Sequence, residues 1–170
     1  MDYIIDAMKA EDWEKVKAIY LEGIATGHAT FESEAPEWPK WDSSHVTEPR
    51  LILRKDGQAA AWASLSRVSA RKVYAGVAEV SIYVGAKFRG QGLGSDLIAS
   101  LISASEKMGF WTLQAGIFPE NVTSIEMHKK HGFRILGVRE KVGKMGFGDM
   151  QGKWRDVVLM ERRSKTVGIY

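Results

Sequence analysis

Two hydrophobic periods alternate along the chain. Tyr3 to Asp6 reads as a short strand, and from Glu11 onward Trp13, Val16, Ile19/Tyr20 and Ile24 recur at three- and four-residue steps, which predicts a helix with one apolar face. Gly27 stands where that helix should end. Residues 31–47 break the period, and Pro36, Trp38, Pro39 and Trp41 predict a loop leading into a short helix. An apolar run at Leu51-Ile52-Leu53, the pair Asp56-Gly57 and a second run from Ala60 to Val68 predict a hairpin. Val77 to Val84 is the next strand. Between Gly90 and Gly109, Leu93, Leu97, Leu101 and Met108 form one stripe, broadened by Ile98 and Ile102, and predict an amphipathic helix. Trp111 to Phe118 predicts a further strand. Thr123-Ser124-Ile125-Glu126 has the form of a capping box and Gly132 that of a helix C-terminal glycine, which together bracket a short helix. Two last strands, Phe133 to Val142 and Lys153 to Glu161, flank a Gly/Met-rich segment from Gly143 to Gly152. No internal repeat or linker interrupts the pattern. Helices alternate with strands while hairpins also occur, so the expected fold is a single α/β domain over residues 1–170, a mixed central β-sheet flanked by helices.

Composition narrows the classes of function. At 170 residues a single domain removes roughly 70% of the unfolded chain's surface from water and needs no staple. The chain has no cysteine, which excludes a disulfide scaffold, a thiolate nucleophile and any Cys-ligated metal. A net charge of +3, evenly spread, is too small to point to nucleic acid, though it suits a phosphorylated cofactor. Met1-Asp2-Tyr3 does not begin like a signal peptide, and no apolar run approaches membrane-spanning length, so a cytoplasmic location without a membrane partner is expected.

The candidate chemistry starts at Arg89-Gly90-Gln91-Gly92-Leu93-Gly94, which follows a strand and opens a helix. Glycines at alternate positions let successive main-chain N–H groups converge on an anion, the helix start adds its positive dipole end, and Arg89 adds a full charge. A pyrophosphate suits such a site. The loop lacks the Lys-Ser/Thr of a Walker A sequence and the spacing of a dinucleotide fingerprint.

Arg89-x-x-Gly92-x-Gly94 resembles the pyrophosphate-binding motif of the GCN5-related N-acetyltransferases. "AEVSIYV" from Ala78 to Val84 precedes it at the family's distance, and "PENVTSIEMHKKHGF" from Pro119 to Phe133 resembles the family's N-x-x-S…LYxxxGF segment. A narrower likeness, to the phosphinothricin/methionine sulfoximine N-acetyltransferase branch, rests on "ATFESEAP" (Ala29 to Pro36), Arg71, Tyr74, "RGQGLGS", His128 and "GKWRDVVLMER" (Gly152 to Arg162). The Gly143–Met150 stretch looks longer than that branch's loop. The resemblance implies acetyl-CoA as co-substrate, a small amino-acid-like amine as acceptor, a homodimer and no metal; the alternatives are a protein N-terminus, polyamine or other amine as acceptor, or a non-catalytic coenzyme A-binding module. It also implies that main-chain groups of Ile82, Tyr83 and Val84 hold the pantetheine arm and acetyl carbonyl, and that Arg89, Gly90, Gln91, Gly92, Leu93, Gly94 and Ser95 hold the diphosphate.

Other positions combine that likeness with residue chemistry. Strand alternation puts Val77, Glu79, Ser81 and Tyr83 on one face and the wholly apolar Ala78, Val80, Ile82 and Val84 on the other, so Glu79 is the candidate base for the amine; the alternative is a surface carboxylate. His128 stands where many relatives carry the Tyr that protonates the departing thiolate, and is either acid, base, positioning group or a packed helix residue. His131 reads as a helix-end residue, and His128-x-x-His131 lacks a third ligand for a metal. Asn121 is either a pantetheine contact or a helix cap. Arg71 and Tyr74 are candidates for the acceptor's carboxylate or phosphinate, or an ordinary solvated pair, and Thr30, Phe31 and Glu32 resemble a loop that closes over the substrate.

Overall fold

The computed structural model describes residues 2–170. One seven-stranded sheet organises it, with strands β1 (Tyr3–Ala7), β2 (Arg50–Lys55), β3 (Gln58–Arg67), β4 (Val77–Val84), β5 (Thr112–Ile117), β6 (Arg134–Lys144) and β7 (Trp154–Arg163). Their spatial order is β1-β2-β3-β4-β5-β7-β6. Every neighbouring pair is antiparallel except β4 with β5, which is parallel, as the mixed-sheet expectation requires. The helices are α1 (Trp13–Ala25), α2 (Trp38–Ser44), α3 (Leu93–Lys107) and α4 (Val122–Lys130).

Each face of the sheet has its own core because strand residues alternate sides. From β3, Ala61, Ala63 and Leu65 join the wholly buried α3 stripe of Leu93, Leu97, Ile98 and Leu101. The intervening Trp62 turns to the other face, where α1 contributes Trp13, Val16, Ile19, Tyr20 and Ile24 and α2 contributes Trp41. Fully burying each Leu, Ile or Val among them stabilises the fold by about 1.5–3 kcal/mol. Trp13, Trp41 and Trp62 are thus core residues, whereas Trp154 is exposed. Between β2 and β3, Asp56 (φ 51°) and Gly57 (φ 73°) both take positive φ, the geometry of the tight turn that an Asp-Gly pair predicts.

Two sequence expectations need correction. The helix after β5 starts at Val122, not at the capping-box residues, because the Asn121 side chain accepts the Ser124 N–H at 3.3 Å and caps it first. The 143–152 segment is also not a plain loop. Its main chain closes on itself through Met145 N–H to Lys153 O and Gly152 N–H to Met145 O, Met145 is buried, and Phe147 packs against the tryptophan-rich core.

Candidate active site

β4 and β5 pair only at their starts, Val77↔Thr112, Ala78↔Leu113 and Glu79↔Gln114; beyond Glu79 they part. β3 continues to pair with β4 up to Ala61↔Val84, so from Val80 to Val84 the edge of β4 that faces β5 carries main-chain groups with no strand partner. A cleft of about 1600 Å³ opens there and passes through the sheet. It reaches the glycine turn and α4 on the α3 side, and Glu79, Tyr83 and the 28–36 segment on the α1 side. Ile82, Tyr83 and Val84 line it as expected.

At the α3 end, Gly90 (φ 74°) and Gly92 (φ 79°) hold left-handed conformations that an L-residue adopts only at a cost of about 1–2 kcal/mol. Gly92 ends the turn, and the first hydrogen bond of α3 runs from Asp96 N–H to Gly92 O at 3.2 Å. The N–H groups of residues 90–95 therefore have no protein partner among the described residues. An ideal Cβ at either glycine would meet nothing within 4 Å, so the cradle opens on empty space. Such a turn fits a diphosphate. Gly94 serves packing as well: a Cβ there would lie 3.2 Å from Met127 Sδ and 3.3 Å from Val84 Cγ2. Arg89 is exposed and donates from Nε to Val84 O at 3.2 Å, leaving the rest of its guanidinium for an anion. Gln91 departs from expectation in its side chain, which bonds Lys55 Nζ and Lys87 O outside the cleft; only its main chain serves the turn. Ser95 lines the cleft while its hydroxyl bonds His131 Nε2 at 2.7 Å, so His131 braces α4 against the first turn of α3.

Glu79 lies on the α1 face, as strand alternation predicts, with Ser66 and Gln114 opposite it. Its side chain is open to water at the cleft mouth, yet the surrounding protein removes enough solvent to raise its carboxyl above the usual range, and Arg139 opposes that shift. A carboxylate so placed can accept a proton directly or through one water. Tyr83 stacks on Trp62 (4.9 Å, 15°) and meets Tyr20 edge-on; burial pushes its phenol well above the ordinary range, so it stays protonated. Gly23 of α1 lies against that ring, where a Cβ would come within 2.6 Å.

His128 is 2% exposed and packs edge-on to Phe133. Its Nδ1 lies 2.7 Å from Ser124 O, which can only accept, so Nδ1 carries the proton and Nε2 offers a lone pair that no described group meets. Burial lowers its basicity, outweighing the hydrogen bond to Ser124 O, which acts the other way. The ring is therefore held neutral, an arrangement for accepting a hydrogen bond rather than for giving a proton from Nε2.

Thr30, Phe31 and Glu32 line the cleft. The Thr30 hydroxyl accepts the Glu32 N–H at 3.1 Å, and Phe31 meets Phe118 edge-on at 4.9 Å. Gly143 of β6 lies under the same ring, where a Cβ would come within 2.6 Å of it. Arg71 and Tyr74 do not reach the cleft. They stack on each other at 5.4 Å on the exposed connection between β3 and β4, which is the end of β4 remote from the glycine turn. Within this chain they are a surface pair, since alternation fixes side-chain direction along a strand but says nothing about the path of the nine-residue connection between Arg67 and Val77.

Sequence reasoning missed Arg155. Its guanidinium is 2% exposed, lies 3.8 Å over the Phe118 ring, and bonds Gly27 O, His28 Nδ1 and Glu120. Asn121 Nδ2 adds a 3.4 Å bond to His28 O, so the 27–32 segment is fastened from below by two elements. An arginine amid the apolar alternation of β7 was the only signal available. Arg139 was also missed; it lines the cleft from β6.

A mixed seven-stranded sheet parted between its two parallel strands, with a glycine cradle at one end of the gap, defines the class. Residues 12–133 match the model of the acetyltransferase (GNAT) family, and the chain belongs to that family. It is 34% identical over 157 residues to a Bacillus subtilis protein provisionally named a phosphinothricin acetyltransferase, covering 89% of this chain and 93% of the relative. It is 31% identical over 156 residues to the L-methionine sulfoximine/L-methionine sulfone acetyltransferase of Pseudomonas aeruginosa, covering 88% of each. The solved phosphinothricin acetyltransferase of Sinorhizobium meliloti in complex with acetyl-CoA superposes with a TM-score of 0.87 at 26% identity, covering all of this chain and 92% of that one.

Proposed function

We propose that this chain moves the acetyl group of acetyl-CoA to the primary amine of a small amino-acid-like acceptor, of the kind its relatives are named for: phosphinothricin, methionine sulfoximine or methionine sulfone. The observation that carries the reading is the cleft through the sheet, with a partnerless N–H cradle at one end and the Glu79 carboxylate at the other. Acetyl-CoA, when bound, supplies an acyl group activated as a thioester. The N–H groups of residues 90–95 with Arg89 would hold its diphosphate, and the free edge of β4 at Ile82–Val84 would receive the pantetheine arm. Well-aimed donors on that edge would also polarise the acyl carbonyl, and one such donor typically lowers a barrier by about 3 kcal/mol. Glu79 would take the amine's proton. Neutral His128 would accept a hydrogen bond and help fix the reactants, and Asn121 would add to the pantetheine contact while it caps α4. Thr30, Phe31 and Glu32 would cover the acceptor.

A homodimer forms part of the same reading. The exposed outer strand β6 carries Ile135, Leu136, Val138 and Val142 to solvent, and Trp154 lies beside it on β7, an apolar edge that a second copy would cover. A cytoplasmic setting follows from the cofactor; among the described residues no helix is long and apolar enough to cross a membrane.

Thiol release from acetyl-CoA, measured against phosphinothricin, L-methionine sulfone, polyamines and short peptides, tests the assignment. Turnover is expected with the first two. Preferential turnover of polyamines or peptides would move the acceptor class, and tight coenzyme A binding without release from any amine would contradict catalysis.

A further inference from the structure

We propose that Arg139 is the anion-binding residue of the acceptor site, receiving the acceptor's carboxylate or an equivalent oxyanion while its amine faces Glu79. This deepens the acetyl-transfer reading and rests on it.

Strand register places the two side chains on one face. Glu79 pairs with Gln114 across the parallel junction, Gly116 two residues on pairs with Leu159, and Val157 two residues on from that pairs with Arg139. Directly opposed residues share a face and so do residues two apart, so Arg139 projects to the same side as Glu79. Both line the cleft. The main chain of Arg139 pairs with Val157 in the sheet, while its side chain makes no hydrogen bond or ion pair to any described residue and acts on Glu79 by charge alone. The other cations of the cleft are placed differently: Arg89 and Lys130 flank the diphosphate end and Lys40 belongs to α2.

The local backbone is built around this position. Arg139 opposes Val157 and Gly143 opposes Arg155, so β6 passes three residues where β7 passes only Asp156. The extra residues form a bulge in which Lys141 takes φ 48°, and the Asp156 carboxylate accepts the Lys141 N–H at 2.7 Å. Bulges of this kind redirect side chains beside active sites, and a non-glycine residue at positive φ marks a conformation that its surroundings must enforce. Arg139 and Gly143, at the two ends of the bulge, both line the cleft, and Gly143 presses on Phe31. The result is a two-pole pocket: a carboxylate for the amine and a guanidinium fork for an oxyanion, with Phe31 and Phe118 adding apolar surface to the same cleft for a short side chain. That chemistry selects amino acids with a free carboxylate over polyamines, which offer no anion.

The test compares L-methionine sulfone with its carboxamide, using wild type, Arg139→Gln and Arg139→Lys. Wild type is expected to prefer the carboxylate by about 10- to 100-fold in kcat/KM, the range for a charged hydrogen-bonded contact. Arg139→Gln should remove most of that preference, chiefly through the acceptor's KM, while the KM for acetyl-CoA stays within twofold; Arg139→Lys should keep part of it. Comparing the ratio between enzymes cancels the different basicities of the two amines. A carboxylate preference that survives Arg139→Gln, or a wild type without any preference, overturns the role of Arg139 and leaves acetyl transfer standing. Absence of thiol release with every amine overturns both.

Discussion

Glu79 occupies a strand position where a carboxylate is costly unless something uses it, and its neighbours show what sets its acidity. Loss of solvent raises the carboxyl and the Arg139 charge draws it back, so a base role requires the ionised form, which fills in as pH rises through that raised value. The expected profile is a kcat/KM that falls on the acid side with a midpoint above that of an ordinary glutamate. Arg139→Gln removes the opposing charge and should move that midpoint further up in pH; a midpoint that moves down would contradict the coupling. Glu79→Gln should lower kcat by about 100-fold or more with acetyl-CoA affinity, measured by calorimetry, nearly unchanged. At this scale the sequence told unevenly. Alternation alone located Glu79, because β4 is regular. Arg139 stayed hidden because a bulge with Lys141 at positive φ is not written in the hydrophobic pattern of β6, and Arg71 looked eligible only because its connection's path is set by packing.

The elements that shape the acceptor end are held by contacts distant in sequence. The 27–32 segment hangs on Arg155, 128 residues away from Gly27, and that buried guanidinium also meets Glu120 and the Phe118 ring. Arg155→Ala should leave His28 and Gly27 O without their partner, cost about 2–4 kcal/mol of stability in denaturant titration, and raise the KM for the acceptor more than that for acetyl-CoA. Gly143→Ala is the complementary change from the other wall. A methyl group there would lie 2.6 Å from the Phe31 ring, so the ring must leave its present place in the cleft wall; the acceptor's KM should rise several-fold while thermal stability, read by calorimetry, changes by no more than about 1–3 kcal/mol. Boundaries at this scale were legible where one local signal dominates, as with Asp56-Gly57 or the α3 stripe. They failed at α4, where Thr123 and Asn121 compete for the same cap and only the geometry of the preceding turn decides for Asn121.

For the whole molecule, the chemistry depends on two parallel strands that stay together for three residue pairs and then separate. The order of strands and helices and the mixed sheet were readable from periodicity. The separation was not, since nothing in the apolar run of β4 differs between its paired start and its unpaired end; only the glycine turn that follows hints that the gap is occupied. The apolar β6 edge makes a further prediction at this scale: light scattering should find a dimer, and Val138→Lys, a charge placed on that edge, should shift it toward monomer. The most direct trial of the account is a crystal structure of the chain with acetyl-CoA bound. It should show the diphosphate within hydrogen-bond reach of the N–H groups of residues 90–95, the pantetheine arm along the free edge of β4, and the acetyl group beside the Glu79 carboxylate. A cofactor seated outside the β4–β5 gap, or a Glu79 side chain turned away from the acetyl group, would contradict it.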